Sequence, residues 1–321
     1  MKGVKMMQKS KVFKWSLYLI ILVFLTIPLF YLIINKYLYI TNSTNNQQFI
    51  HKDNDKPLNN PHNTTFPSTD AKNTYLKRSF SGPNLKYNNE GIPVLMYHSI
   101  SNKKGNELQL SKDLFEAQLK FLKDKNYTTL SLDELYDFIA FNKPIPKKSV
   151  AITFDDGYVD NYLNAYPILK KYNFRATIFV ITDNVDKYSH TINSSQIKEM
   201  SINGIDIMSH TEKHEDLSTL TYDKQLYTMN TSRKFLEKIL EKKVNYIAYP
   251  YGRWNKDTLK AAKNSDYTMA FSTSGTWTDK SDDIYKLDRV YISSNFDLSE
   301  FERRLTNRNY NNIHSKNILS Q

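Results

Sequence analysis

Three histidines and two adjacent carboxylates in this chain have the types and spacing of reactive groups. Asp155 and Asp156 are consecutive and precede Gly157, His210 and His214 bracket the stretch His210-Thr211-Glu212-Lys213-His214, and His98 closes the apolar run Pro93-Val94-Leu95-Met96-Tyr97. Imidazoles four positions apart can reach one point from a helical turn or a tight loop. One carboxylate then completes a facial His₂Asp metal set with positions open to water and substrate. Side chains that diverge at a strand end let one aspartate bind metal while the other stays free to take a proton. Spacing alone does not say which is which. Gly157 would let the chain turn sharply after the pair. A single His or Asp at such a place is most often a cap or a satisfied surface group; five together are harder to explain that way. The chain has no cysteine, so disulfides, thiolate ligands and cysteine nucleophiles are excluded, and a metal must be held by His, Asp or Glu.

These residues need a scaffold that gathers strand ends. From Gly91 onward, apolar runs of strand length alternate with helical patterns, the signature of βα units and a mainly parallel sheet. The expected strands cover residues 92–97, 149–154, 176–181, 205–209, 245–249, 267–272 and 289–293. The expected helices cover 111–125, 132–141, 161–172, 194–202, 222–240 and 256–264. About seven strand–helix steps predict an α/β fold, an incomplete or distorted (β/α) barrel rather than an open doubly wound sheet, and in barrels chemistry gathers at the C-terminal ends of the strands. His98, Asp155, Asp156 and His210 all follow directly on predicted strands.

The N-terminal part has a different texture. Residues 15–34 are an uncharged apolar run of about the 20 residues that a membrane-crossing helix needs. Lys2, Lys5, Lys9, Lys11 and Lys14 precede it and only Lys36 follows closely, which predicts a cytoplasmic basic N-terminus (1–14), a single transmembrane helix (15–34) and everything later outside the cell membrane. No small-residue cleavage site closes the run, so the helix is expected to stay as an anchor. Residues 41–89, rich in Asn, Thr, Ser, Pro and Lys, are expected to be a flexible extracellular linker. The folded domain is expected over 90–310, with a C-terminal tail over 311–321. Formal net charge is +11, mostly contributed before residue 90. The domain itself is close to neutral and lacks a gathered basic face, which argues against nucleic acid as a partner. A monomer is expected.

With the motifs in place, Thr153-Phe154-Asp155-Asp156-Gly157 resembles the TFDDG motif of the polysaccharide deacetylase (NodB-homology, carbohydrate esterase) family. His210-Thr211-Glu212-Lys213-His214 resembles its H-[ST]-x-x-H motif. The resemblance covers roughly residues 91–306. It implies a distorted (β/α)7 barrel, a divalent metal cofactor, Zn2+ before Co2+ or Ni2+, and hydrolysis of N-acetyl groups on glucosamine polymers. By the same resemblance Asp155 is the general base, and Asp156, His210 and His214 are the metal ligands. In Ile247-Ala248-Tyr249-Pro250-Tyr251-Gly252, Pro250 and Tyr251 match the R-x-x-P-Y motif, which implies an oxyanion role for the Tyr251 backbone N–H. Ile247 stands where that motif has an arginine to steady the catalytic aspartate. Arg289, at the start of a late strand, is a candidate substitute, and a surface arginine is the other reading. The late L-x-H motif is missing, since only His314 lies in the C-terminal stretch. The opening around His98 resembles instead the poly-β-1,6-N-acetylglucosamine deacetylase branch, in which the early histidine is the general acid. Trp254 is a candidate for stacking on a sugar ring. Peptidoglycan is the alternative substrate, and a non-catalytic wall-sugar module is an alternative of another class.

Overall fold

The computed structural model describes residues 77–102, 105–273 and 275–313. The expected membrane span, the basic stretch before it, the linker up to residue 76 and His314 lie outside them. Among the described residues no helix is long and apolar enough to cross a membrane. In chain order the elements are β1 (Leu85–Lys86), β2 (Val94–Tyr97), β3 (Ser99–Ile100), β4 (Gln109–Leu110), α1 (Lys112–Asp124), β5 (Thr128–Leu130), α2 (Leu132–Phe141), β6 (Ile145–Pro146) and β7 (Ser149–Phe154). There follow α3 (Tyr166–Tyr172), β8 (Ala176–Val180), α4 (Ser194–Ile202), β9 (Ile205–Ser209), α5 (Tyr222–Leu240), β10 (Tyr246–Ala248), α6 (Lys256–Asn264), β11 (Met269–Phe271), β12 (Val290–Tyr291) and α7 (Leu298–Thr306).

Seven parallel strands run in the order β11-β10-β9-β8-β7-β2-β12. The sheet curls, consistent with a (β/α) barrel. Ser272 N–H donates to Leu287 O and Leu287 N–H to Ala270 O, tying the β11 edge to the chain just ahead of β12. All six residues of β7 are buried, as a strand covered on both faces requires. Its far edge is shared: β5 pairs with residues 149–151, and β8 pairs with Thr153 and Phe154.

Helix starts follow local chemistry. Ser111 caps α1 through its hydroxyl, while Ser131 with Glu134, and Asn193 with Gln196, make capping boxes for α2 and α4. The helix expected over 161–172 is interrupted: Asn161–Ala165 is a π-helical turn, closed by Tyr166 N–H donating to Asn161 O, and α3 follows it. Pro167 has no N–H to give the carbonyl four residues back, which favours a break in the α register there.

Residues 77–89 correct the expected linker boundary, because they belong to the folded unit. Leu85 and Lys86 pair antiparallel with β6, and the Arg78 guanidinium grips the Glu134 carboxylate at both oxygens, 2.8 Å each. Glu134 is also bonded to Arg175 at 3.0 Å. The sequence shows Arg78 only as one more charge in a polar stretch, whereas buried Glu134 needs its cation.

Candidate metal and proton-transfer site

The polar residues that follow β2, β7, β9 and β10 gather at one rim. Asp156, two residues past the end of β7, has φ 71° and Gly157 has φ 69°, so the chain turns sharply just beyond the buried strand. Asp156 Oδ1 lies 3.5 Å from His210 Nε2 and 3.2 Å from His214 Nε2. The loop from His210 to His214 is not a helical turn. Left-handed residues Thr211 (φ 65°) and His214 (φ 60°) fold it back, leaving the two rings 5.0 Å apart. Glu215 braces this loop by accepting from Thr211 Oγ1, Lys213 N and Thr228 Oγ1. Sequence reasoning missed Glu215, since nothing in its spacing marks a carboxylate that works by folding a loop.

This donor set fits a divalent cation. His210 Nδ1 is 2.8 Å from Ala248 O, and a carbonyl can only accept, so Nδ1 carries the proton and the neutral ring turns a lone pair outward at Nε2. Asp156 Oδ1 is buried, makes no hydrogen bond and faces both Nε2 atoms. The Asp156 oxygen and the His210 Nε2 lone pair repel each other unless a cation sits between them, and His214 Nε2 is close enough to complete its set. Burial opposes a charge on His210, but Asp155 and Asp156 raise its pKa above the ordinary histidine value. The field of the site therefore favours positive charge.

Asp155 is placed quite differently from its neighbour. It is buried and paired with Arg289, whose Nη1 and Nη2 each donate to one carboxylate oxygen at 2.7 Å. Arg289 is 0% exposed, its Nε donates to Ser272 O at 2.8 Å and its Nη1 to Thr153 Oγ1 at 3.2 Å. The guanidinium lies 5.7 Å from the centre of the Phe179 ring. Of the two readings of Arg289, the surface one is thereby overturned. Burial is the largest single influence and pushes the Asp155 carboxyl up, but the charges of Arg289 and His210 together with the Arg289 hydrogen bonds outweigh it and hold Asp155 below the usual carboxylate range. It stays ionised at neutral pH.

His98 follows β2 and is partly buried. Burial lowers its pKa, while Asp155 and Asp156 pull the other way. Tyr251 follows β10 in the turn from Pro250 to Gly252, with φ 58°, a left-handed conformation that costs a non-glycine residue about 1–3 kcal/mol. Gly252 is obligatory there: a Cβ would fall 2.1 Å from Thr273 Oγ1. The Tyr251 ring is 57% exposed and meets His214 edge-on at 4.5 Å, beside the metal set. Trp254 is partly exposed, with Lys286 Nζ 4.8 Å from its ring centre. The structure thus brings Asp156, His210 and His214 together, seats Asp155 beside them, and ranges Tyr251 along the same rim.

The polysaccharide deacetylase family profile matches residues 142–270. The Bacillus subtilis protein YxkH, which carries the same family description, is 41% identical over 210 residues, 65% of this chain and 74% of its own length. The poly-beta-1,6-N-acetyl-D-glucosamine N-deacetylase of Staphylococcus aureus is 32% identical over 238 residues, 65% of this chain and 81% of its own. Among solved structures, the Streptococcus pyogenes deacetylase PplD in complex with acetate superposes with TM-score 0.65 and 34% identity, over 67% of this chain and 98% of its own.

Proposed function

The chain belongs to the polysaccharide deacetylase family, and from that premise we propose that it hydrolyses N-acetyl groups on a β-linked N-acetylglucosamine polymer, with a divalent ion, Zn2+ first, held by Asp156, His210 and His214. The observation that carries this is the placing of an arginine-held carboxylate, Asp155, beside a convergent His₂Asp set. When bound, the ion would polarise the acetamide carbonyl and make a water more acidic. Asp155 takes the proton of the attacking water, whose oxygen bonds to the carbonyl carbon. The Tyr251 backbone N–H donates to the oxygen that gains negative charge. His98 then protonates the nitrogen as the C–N bond breaks, because an amine anion is too poor a leaving group to depart unprotonated. The products are acetate and a free amine on the sugar. Trp254 is proposed to line the sugar path.

Poly-β-1,6-N-acetylglucosamine is the proposed polymer, supported by the early His98 and by the similarity to the Staphylococcus aureus enzyme named for that substrate. Peptidoglycan is the second reading. The test is acetate release by the purified protein on each polymer. Faster release from the β-1,6 polymer supports the assignment, and exclusive activity on peptidoglycan overturns it. We also propose that residues 15–34 anchor the chain with its domain outside the membrane. Protease added to intact protoplasts should then remove the domain. Survival of the domain alongside a cytoplasmic marker contradicts this topology.

A further inference from the structure

The chain around His98 is held by one short segment. Asp160 accepts from Ser99 Oγ at 2.6 Å and from Ile100 N at 3.0 Å. Asn164 Nδ2 donates to Ile100 O at 2.7 Å, and Asn161 Nδ2 donates to His98 O at 2.7 Å. Asn161 and Asn164 both lie in the π-helical turn from Asn161 to Ala165, a rare geometry that is frequent at functional sites. Asn161 is 1% exposed. Its Nδ2 also lies 3.3 Å from Asp160 Oδ1, and two acceptors on that atom fix the orientation of the amide. The reversed orientation would set an oxygen against a carbonyl and a carboxylate. Its Oδ1 is therefore the acceptor end, buried and without a hydrogen-bond partner. His98 Nδ1 is in the same condition. Buried polar atoms are nearly always paired, and leaving one unpaired costs about 1–3 kcal/mol. Here two complementary orphans sit in residues already joined by a hydrogen bond.

We propose that Asn161 is a positioning residue for the His98 ring: its Oδ1 accepts the Nδ1 proton, directly after a small ring rotation or through one water, so that Nε2 carries the proton delivered to the leaving nitrogen. This rests on the reading of His98 as proton donor. A neutral amide sets the tautomer without adding negative charge. An aspartate in its place would stabilise the imidazolium and make it a weaker acid. The π-helical turn carries both amides that hold the backbone on either side of Ser99.

The test uses the full chain labelled with 15N-histidine, the His98 ring signals being identified by their loss in His98→Gln. Above its pKa, His98 should be in the Nδ1–H form in the parent protein and shift toward the Nε2–H form in Asn161→Ala. Turnover of polymer by Asn161→Ala should fall at least about tenfold, part of what general acid catalysis is worth, with KM and metal content unchanged. Asn164→Ala, which removes a backbone tie at Ile100 only, should keep the parent ring signature. A neutral parent His98 in the Nε2–H form overturns the proposal without recourse to any variant. So does an Asn161→Ala protein with unaltered ring signals and turnover within twofold of the parent. Should His98→Gln instead retain turnover, the donor reading fails while the ring spectra still decide the pairing.

Discussion

Arg289→Met is expected to lower folding stability by about 3–5 kcal/mol, because it strips the partner from a buried carboxylate. Asp155 is buried, and both of its oxygens are bonded to the one guanidinium. Without that cation the carboxyl must either stay charged in a poorly solvating interior or take a proton, and a protonated Asp155 cannot act as a base. Turnover should fall by at least about 10²-fold, the lower bound of what a general base contributes. Equilibrium urea unfolding at neutral pH measures the first effect. The pH dependence has a definite sign: the folded-state pKa of Asp155 is depressed, so the stabilisation is present above the unfolded carboxylate value near 3.9 and is lost as pH falls through the folded one. The gap between parent and variant should therefore close in acid. Combining Asp155→Asn with Arg289→Met removes both charges and should recover much of the loss. A single variant within about 1 kcal/mol of the parent contradicts the bidentate pairing.

Arg289 also marks where the sequence stops being legible. The strand ends carrying Asp155, Asp156 and His210 could be read because periodicity locates strands and the site residues follow them directly. Strands β7 and β9 have the expected limits, β8 ends one residue early, and β2, β10, β11 and β12 are shorter than expected. Arg289 and Asp155 are far apart in the chain, and only the sheet order, which returns β12 to the side of β2, brings them together. No local pattern encodes that. The same holds for Arg78, which looks like linker until Glu134 is seen to need a cation, and for Glu215, whose partners are backbone and hydroxyl groups of a folded loop. The break at Asn161 could have been suspected from Pro167, although proline near a helix start usually signals an ordinary first turn.

Substituting His98 by glutamine should lower turnover of polymer by about 10²- to 10⁴-fold while leaving KM and metal content near parent values. The interaction at stake forms as the C–N bond breaks, so its loss is a transition-state effect rather than a binding one. In the parent, the falling limb of the rate at high pH should reflect loss of a proton from His98, and burial places that limb on the low side of an ordinary histidine. The limb should vanish in the variant. An aryl acetate ester, whose leaving group needs little protonation, should still be cleaved at close to the parent rate. Loss of ester cleavage together with polymer cleavage would instead mean that His98 supports the site as a whole. Near-parent turnover on polymer would remove His98 from the reaction.

The central claim is that adjacent aspartates divide the work, Asp156 holding the ion and Asp155 moving the proton. The direct measurement is metal content and acetate release on the same preparations of Asp155→Asn and Asp156→Asn, after dialysis against chelator and reloading with Zn2+. Asp155→Asn should take up the metal like the parent protein yet release no measurable acetate from the N-acetylglucosamine polymer. Asp156→Asn should lose both. Equal loss of metal in the two variants, or acetate release by Asp155→Asn at the parent rate, would contradict the account.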